Sequence, residues 1–172
     1  MSTTLEIGSI EVPLESRGAF NQEYEDINGQ TFRRTADGSG VLRSLWTGKV
    51  RTLISGDGWA PSAFENIDAG TTHVIKCAMT RTASSATTSV TLPAARRSDA
   101  GHTPIGFALV DDTLIETPIT GIVANVATLT AVAGADGYRV HYFPEITAVV
   151  LRNTCKGAFD ARFTWQIEAE QL

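Results

Sequence analysis

Along this chain apolar and polar residues alternate in short runs, and the runs stop at clusters of Gly, Asp, Asn and Pro. A period of two puts successive side chains on opposite faces of an extended strand, whereas the three-to-four spacing of an amphipathic helix is almost absent, so the pattern predicts a mostly β protein. The plainest run is Arg162 to Ala169, with Phe163, Trp165 and Ile167 on one face and Arg162, Thr164, Gln166 and Glu168 on the other. It predicts a half-buried strand. Thr72 to Met79 alternates too, setting His73, Ile75, Cys77 and Met79 against Val74, Lys76 and Ala78, with either set open as the core face. Residues Phe32 to Trp46 predict a hairpin around Asp37-Gly38-Ser39-Gly40, because Asp-Gly takes up positive φ at little steric cost. A second hairpin is predicted where Gly134-Ala135-Asp136-Gly137 separates Ile122 to Val132 from Tyr138 to Phe143. Pro144 then ends that run, having no N–H for a strand ladder.

Between these runs the signals are weaker. Thr82 to Thr91, rich in Ser, Thr and Ala, reads as either a weakly packed strand or a mobile surface loop, the least ordered part of the chain, over about 80–100. Ser98 to Pro104 reads as a turn between two groups of strands. Pro61 suits the first turn of a helix, so at most one short helix is placed near Ala60 to Ile67. No internal repeat is visible. The 172 residues fit one domain over 1–172, with an N-terminal arm of about 1–15.

Composition narrows the function classes. Apolar residues make up 42% of the chain and charged residues 19%, enough for a packed core and against disorder throughout. A net charge of −5 argues against wrapping nucleic acid, which needs clustered Lys and Arg to displace phosphate counterions. The two cysteines, Cys77 and Cys155, and the three histidines, His73, His102 and His141, are too scattered for a structural zinc site. Cys77 reads as a small buried hydrophobe carrying a free thiol. The first fourteen residues lack the basic and apolar regions of a signal peptide, and no run of about 18 apolar residues offers a membrane span, so a protein made in the cytoplasm that stays soluble is expected.

Candidate chemistry is thin, and no cofactor or metal site is expected. A phosphate-binding loop fails because Arg43 stands where its first Gly belongs and Val50 follows Gly48-Lys49. Ser39 lacks the Gly-x-Ser-x-Gly spacing of a hydrolase nucleophile. Asp111 and Asp112 are adjacent, so on a strand they point apart, and they read as a hairpin tip between Leu109 and Leu114. Arg33-Arg34 and Arg96-Arg97 are too short for a nucleic-acid patch and read as partners of inter-subunit salt bridges. The aromatic residues Trp59, Trp46 and Tyr138 are the candidate interface or ligand-stacking positions, with Trp59, in Gly56-Asp57-Gly58-Trp59-Ala60-Pro61, the one expected at the surface or a subunit contact. They also define an alternative function, a carbohydrate-binding β-sandwich. A third, a small hydrolase, needs His141 or His102 beside a carboxylate and a nucleophile.

Two stretches carry a resemblance. Phe20-Asn21-Gln22-Glu23-Tyr24-Glu25-Asp26-Ile27, followed by Thr31-Phe32-Arg33-Arg34-Thr35-Ala36-Asp37-Gly38-Ser39 and Trp46-Thr47-Gly48-Lys49, is one. The other is Tyr142-Phe143-Pro144-Glu145-Ile146 with Phe159-Asp160-Ala161-Arg162-Phe163-Thr164-Trp165-Gln166-Ile167-Glu168-Ala169-Glu170. Together they resemble minor or distal tail proteins of long-tailed bacteriophages over about half the chain, leaving Thr80 to Ala131 uncovered. The resemblance implies a β-sandwich or split β-barrel without catalytic residues, assembled as a ring, commonly a homohexamer. Such a ring joins the tail tube to tip or receptor-binding proteins in the virion, and DNA meets it only as passing cargo. An acidic channel would repel phosphate, and the N-terminal arm is expected to pair with a neighbour's sheet.

Overall fold

A computed structural model describes residues 4–158 and 162–172. The Phe159-Asp160-Ala161 part of the resemblance and the first three residues of the expected arm lie outside the described residues. The fold is nearly all β, in three antiparallel sheets. Its strands are β1 (Glu6–Ile7), β2 (Ile10–Glu11), β3 (Asn21–Arg34), β4 (Gly40–Gly58), β5 (Thr72–Lys76), β6 (Arg81–Ser85), β7 (Ser89–Thr91), β8 (Ile105–Val110), β9 (Thr113–Glu116), β10 (Ile119–Val123), β11 (Val126–Leu129), β12 (Gly137–Tyr142), β13 (Glu145–Gly157) and β14 (Phe163–Gln171). Where a short helix is expected near Ala60 to Ile67, a single 3-10 turn covers Phe64–Asn66; another covers Leu14–Ser16. No helix among the described residues is long and apolar enough to cross a membrane.

Where one domain is expected, the chain divides into two compact units, one of residues up to Glu11 with Val74–Ile146, the other of Val12–His73 with Thr147–Leu172. In the first unit, a four-stranded sheet in the order β6-β12-β8-β9 and a three-stranded sheet in the order β10-β11-β7 share one core. Val90, Ala127 and Leu129 from one sheet meet Ala108, Tyr138, Val140 and Tyr142 from the other. Each fully buried aliphatic side chain there is worth roughly 1.5–3 kcal/mol. Two turns are tight: Asp111 and Asp112 join β8 to β9, and Ala124 and Asn125 join β10 to β11, all four residues at positive φ. That is the conformation of a two-residue type I′ turn, which Asp and Asn tolerate well. The hairpin tip expected at Asp111-Asp112 is therefore present.

Of the two readings of Thr82 to Thr91 the strand holds: the stretch supplies most of β6 and all of β7, anchored by Val90, which is wholly buried. Two expectations are corrected in this unit. The strands flanking Gly134–Gly137 form no hairpin with each other: β11 pairs with β10 and β7, whereas β12 pairs with β6 and β8. The N-terminal segment, expected as an arm, is paired within its own chain. Leu5 and Ile7 are buried, and β1 pairs with both β2 and β5 of its own chain.

The second unit holds the strand order β13-β14-β4-β3. As its alternation predicts, β14 buries Trp165, Ile167 and Ala169. The Trp165 indole donates to Ser16 O at 2.8 Å, meets the Phe64 ring edge-on at 5.1 Å, and lies over Gly56 of the paired strand, where an added Cβ would come within 2.5 Å of it. Val12, Ile54, Phe64, Ile67 and Val150 of this unit are buried as well. Asn153 ties the 3-10 turn down by donating to the carbonyls of Phe64 and Ile67.

Candidate interaction surface

The predicted hairpin at Asp37-Gly38 exists and is far longer than the turn signal alone indicates. β14 pairs with β4 only over Arg51–Gly58, so beyond that point β3 and β4 continue as a two-stranded ribbon reaching Arg34 and Gly40. At ~3.3 Å per residue the nine residues from Asp26 to Arg34 span about 30 Å. Gly38 at φ +85° and the Asp37 carboxylate, which accepts from the Thr35 hydroxyl and from Ser39 N and Oγ, close the tip. Those hydrogen bonds, led by the one from Thr35, hold the Asp37 carboxyl below its ordinary pKa.

Nothing among the described residues covers this ribbon, yet it carries large apolar side chains. Phe32 and Leu42 stand directly opposite one another, hence on one face, and are 59% and 60% exposed; Val41 and Leu45 are exposed as well. Two register shifts near Gly29 mark bulges, with Leu45 as the extra residue between Trp46, opposite Gly29, and Ser44, opposite Gln30. Two aromatic rings shelter glycines: an added Cβ on Gly29 would come within 2.3 Å of Trp46, and one on Gly40 within 2.9 Å of Phe32. The opposite face of the ribbon carries Thr31, Arg33, Val41 and Arg43. Arg34 donates to Gly38 O and lies 5.6 Å from the centre of the Phe32 ring.

At the base of the ribbon the same strands line a groove of about 400 Å³, formed by Glu23, Tyr24, Glu25, Arg51, Leu53, Gln166 and Glu168. Three carboxylates converge here on one guanidinium: Arg51 lies 3.5 Å from Glu25, 3.7 Å from Glu168 and 3.3 Å from Glu170. The hydrogen bond to Glu170, followed by the charges of Glu25, Glu170 and Glu168, raises the Arg51 pKa. The groove thus holds more negative charge than its own cation neutralises.

The aromatic positions singled out in the sequence do not come together. Trp59 is 84% exposed, just past the end of β4. Trp46 is 43% exposed on the ribbon, thirteen residues away and so about 40 Å along the strand. Tyr138 is corrected outright: it is only 6% exposed, in the core of the first unit, and its hydroxyl accepts from Val132 N at 3.0 Å. A buried ring cannot stack on a ligand.

The arginine pair at 96–97 is likewise turned inward. Arg97 is 2% exposed, grips both Asp99 oxygens at 2.7 and 2.9 Å, and donates to the carbonyls of Thr4, Lys76 and Cys77. Arg96 donates to Pro93 O and to Asn125 Oδ1. Both serve their own unit. The hydrogen bonds and charge of Arg97 hold the Asp99 carboxyl well below the usual carboxylate range.

His102 does meet a carboxylate, with Nδ1 2.8 Å from Asp99 Oδ2, though neither ring nitrogen makes a well-directed hydrogen bond. It packs edge-on against Phe143 at 4.9 Å, and the carboxylate it faces is already engaged by Arg97. His141 packs on Phe107 at 4.5 Å. Both cysteines are free, and Cys77 is fully buried as a small hydrophobe. Among the described residues no group of three His, Cys, Asp or Glu side chains could hold a metal ion.

The class that fold and surface define is an all-β chain whose outstanding feature is an uncovered ribbon beside an acidic groove. No family model, curated protein or solved structure matches it.

Proposed function

We propose that this chain is a structural component of a bacteriophage tail, forming a homo-oligomeric ring at the distal tail or baseplate that joins the tail tube to tip or receptor-binding proteins. The observation that carries the reading is the ribbon. A two-stranded hairpin is at best marginally stable alone in water, and an exposed Phe32–Leu42 pair on one face, with Val41 exposed on the other, is what assembly partners cover. The resemblance of residues 20–49 to tail proteins falls on this same ribbon and its base. The net charge of −5 suits a wall past which DNA moves without sticking.

The carbohydrate-binding alternative rests on Trp59 alone, because Tyr138 is buried and Trp46 lies about 40 Å away along the strand. The proposal is tested by mass spectrometry of purified tailed particles from a lysate expressing this chain. Its peptides are expected at a fixed ratio to those of the tail-tube protein through successive purification steps. Loss of the chain from the particles, with glycan binding by the free monomer, overturns the proposal in favour of sugar recognition.

A further inference from the structure

The ribbon and the groove differ in charge as well as in shape. Residues 28–48 carry Arg33, Arg34 and Arg43 against the single carboxylate of Asp37, within a chain of net charge −5. Arg33 and Arg43 are exposed and make no ion pair among the described residues. They share a face with Val41 and sit on diagonal positions of the ladder, where neighbouring residues are about 7–8 Å apart. The groove offers the converse: Glu23, Glu25 and Glu168 surround an apolar patch from Leu53 and Tyr24, and Arg51 is the one cation there.

The ribbon cannot fill the groove of its own chain. Both are built from the same two strands, the groove from Glu23–Glu25 and Arg51–Leu53 and the ribbon from their continuation, so folding back would break the β3–β4 pairing beyond Ile27. A second copy has no such restriction.

We propose that the ribbon of one protomer docks in the acidic groove of the next, Val41 packing on Leu53 while Arg33 and Arg43 reach the carboxylates of Glu23, Glu25 and Glu168. The inference rests on the ring reading and deepens it by naming one contact, made by the face of the ribbon opposite Phe32 and Leu42. The contact joins unlike surfaces, and a repeated heterologous contact closes into a ring where the rotation allows. Because the charges meet near solvent, the association weakens with salt.

Native mass spectrometry and light scattering on the full-length chain at low salt test it. The wild-type chain is expected to be oligomeric, with at least a tenfold weaker association at 0.5 M NaCl. The ribbon variant Arg33→Glu/Arg43→Glu and the groove variant Glu23→Lys/Glu25→Lys are each expected to be monomeric, with wild-type circular dichroism, as all four side chains are exposed. An equimolar mixture, in which every ribbon has a complementary groove, is expected to assemble again, and so is the chain carrying all four substitutions. A monomeric wild type, variants that keep the wild-type mass, or failure of the well-folded mixture to assemble overturns the proposal. The tail reading stands or falls separately: recovery of the chain in particles, with oligomers indifferent to these charges, leaves it intact and removes the ribbon-in-groove contact.

Discussion

The Tyr138 hydroxyl accepts from Val132 N, and replacing Tyr138 with Phe removes that acceptor at an expected cost of about 1–3 kcal/mol, read from the midpoint of urea unfolding. The ring is buried rather than displayed for stacking, as the period of two in Tyr138, Val140 and Tyr142 indicates, and Trp165 and Ile167 are buried on their run in the same way. Gly58→Ala is expected to cost about 1–3 kcal/mol by the same measurement, because its Cβ would fall 1.9 Å from the backbone oxygen of Glu15. The role of Arg97 could not be read from sequence, since its carbonyl partners lie on Thr4, Lys76 and Cys77, far away along the chain. Its partner Asp99 has a pKa lower in the folded chain than in the unfolded chain, so its contribution to stability is complete above the unfolded carboxylate pKa of about 4 and is lost as pH falls toward the folded value. Asp99→Asn is expected to lower stability at pH 7 and to flatten the fall below about pH 4, measured as unfolding midpoint against pH.

Among elements, hairpins closed by Asp37-Gly38 and by Asp111-Asp112 were readable because two or three residues determine them locally. The partner of β12 was not, because pairing with β6 and β8 is decided by which sheet buries Tyr138 and Val140, a choice with no local signal. The length of the ribbon was hidden for a related reason. Its apolar residues read like those of a core strand, and only the end of β14 pairing at Arg51 reveals that they lack cover. Since residues 31–43 are exposed throughout, replacing them with Asn-Gly is expected to change the stability of the isolated chain by no more than about 0.5 kcal/mol by urea unfolding, while abolishing self-association. Amide hydrogen exchange gives an independent reading: the ribbon is expected to exchange fast in the monomer and to become protected in the oligomer.

For the whole molecule, the all-β class was legible and the two units were not. Of the three internal boundaries, His73–Val74 falls inside β5 and Ile146–Thr147 inside β13, while Glu11–Val12 falls at the end of β2, so no long Gly- or Pro-rich linker announces them. The stretch outside the resemblance, Thr80 to Ala131, lies within the first unit, while the ribbon and groove belong to the second. In the proposed ring, assembly rests on residues 21–58 and 166–170, which leaves the first unit for a different contact.

Cryo-electron microscopy of the assembled particle tests this account most directly. A closed ring of this chain around the tail channel, each ribbon from Gly29 to Trp46 buried against a neighbouring subunit, is the predicted result. Particles in which the chain is absent, or present as single copies with the ribbon in solvent, would contradict it.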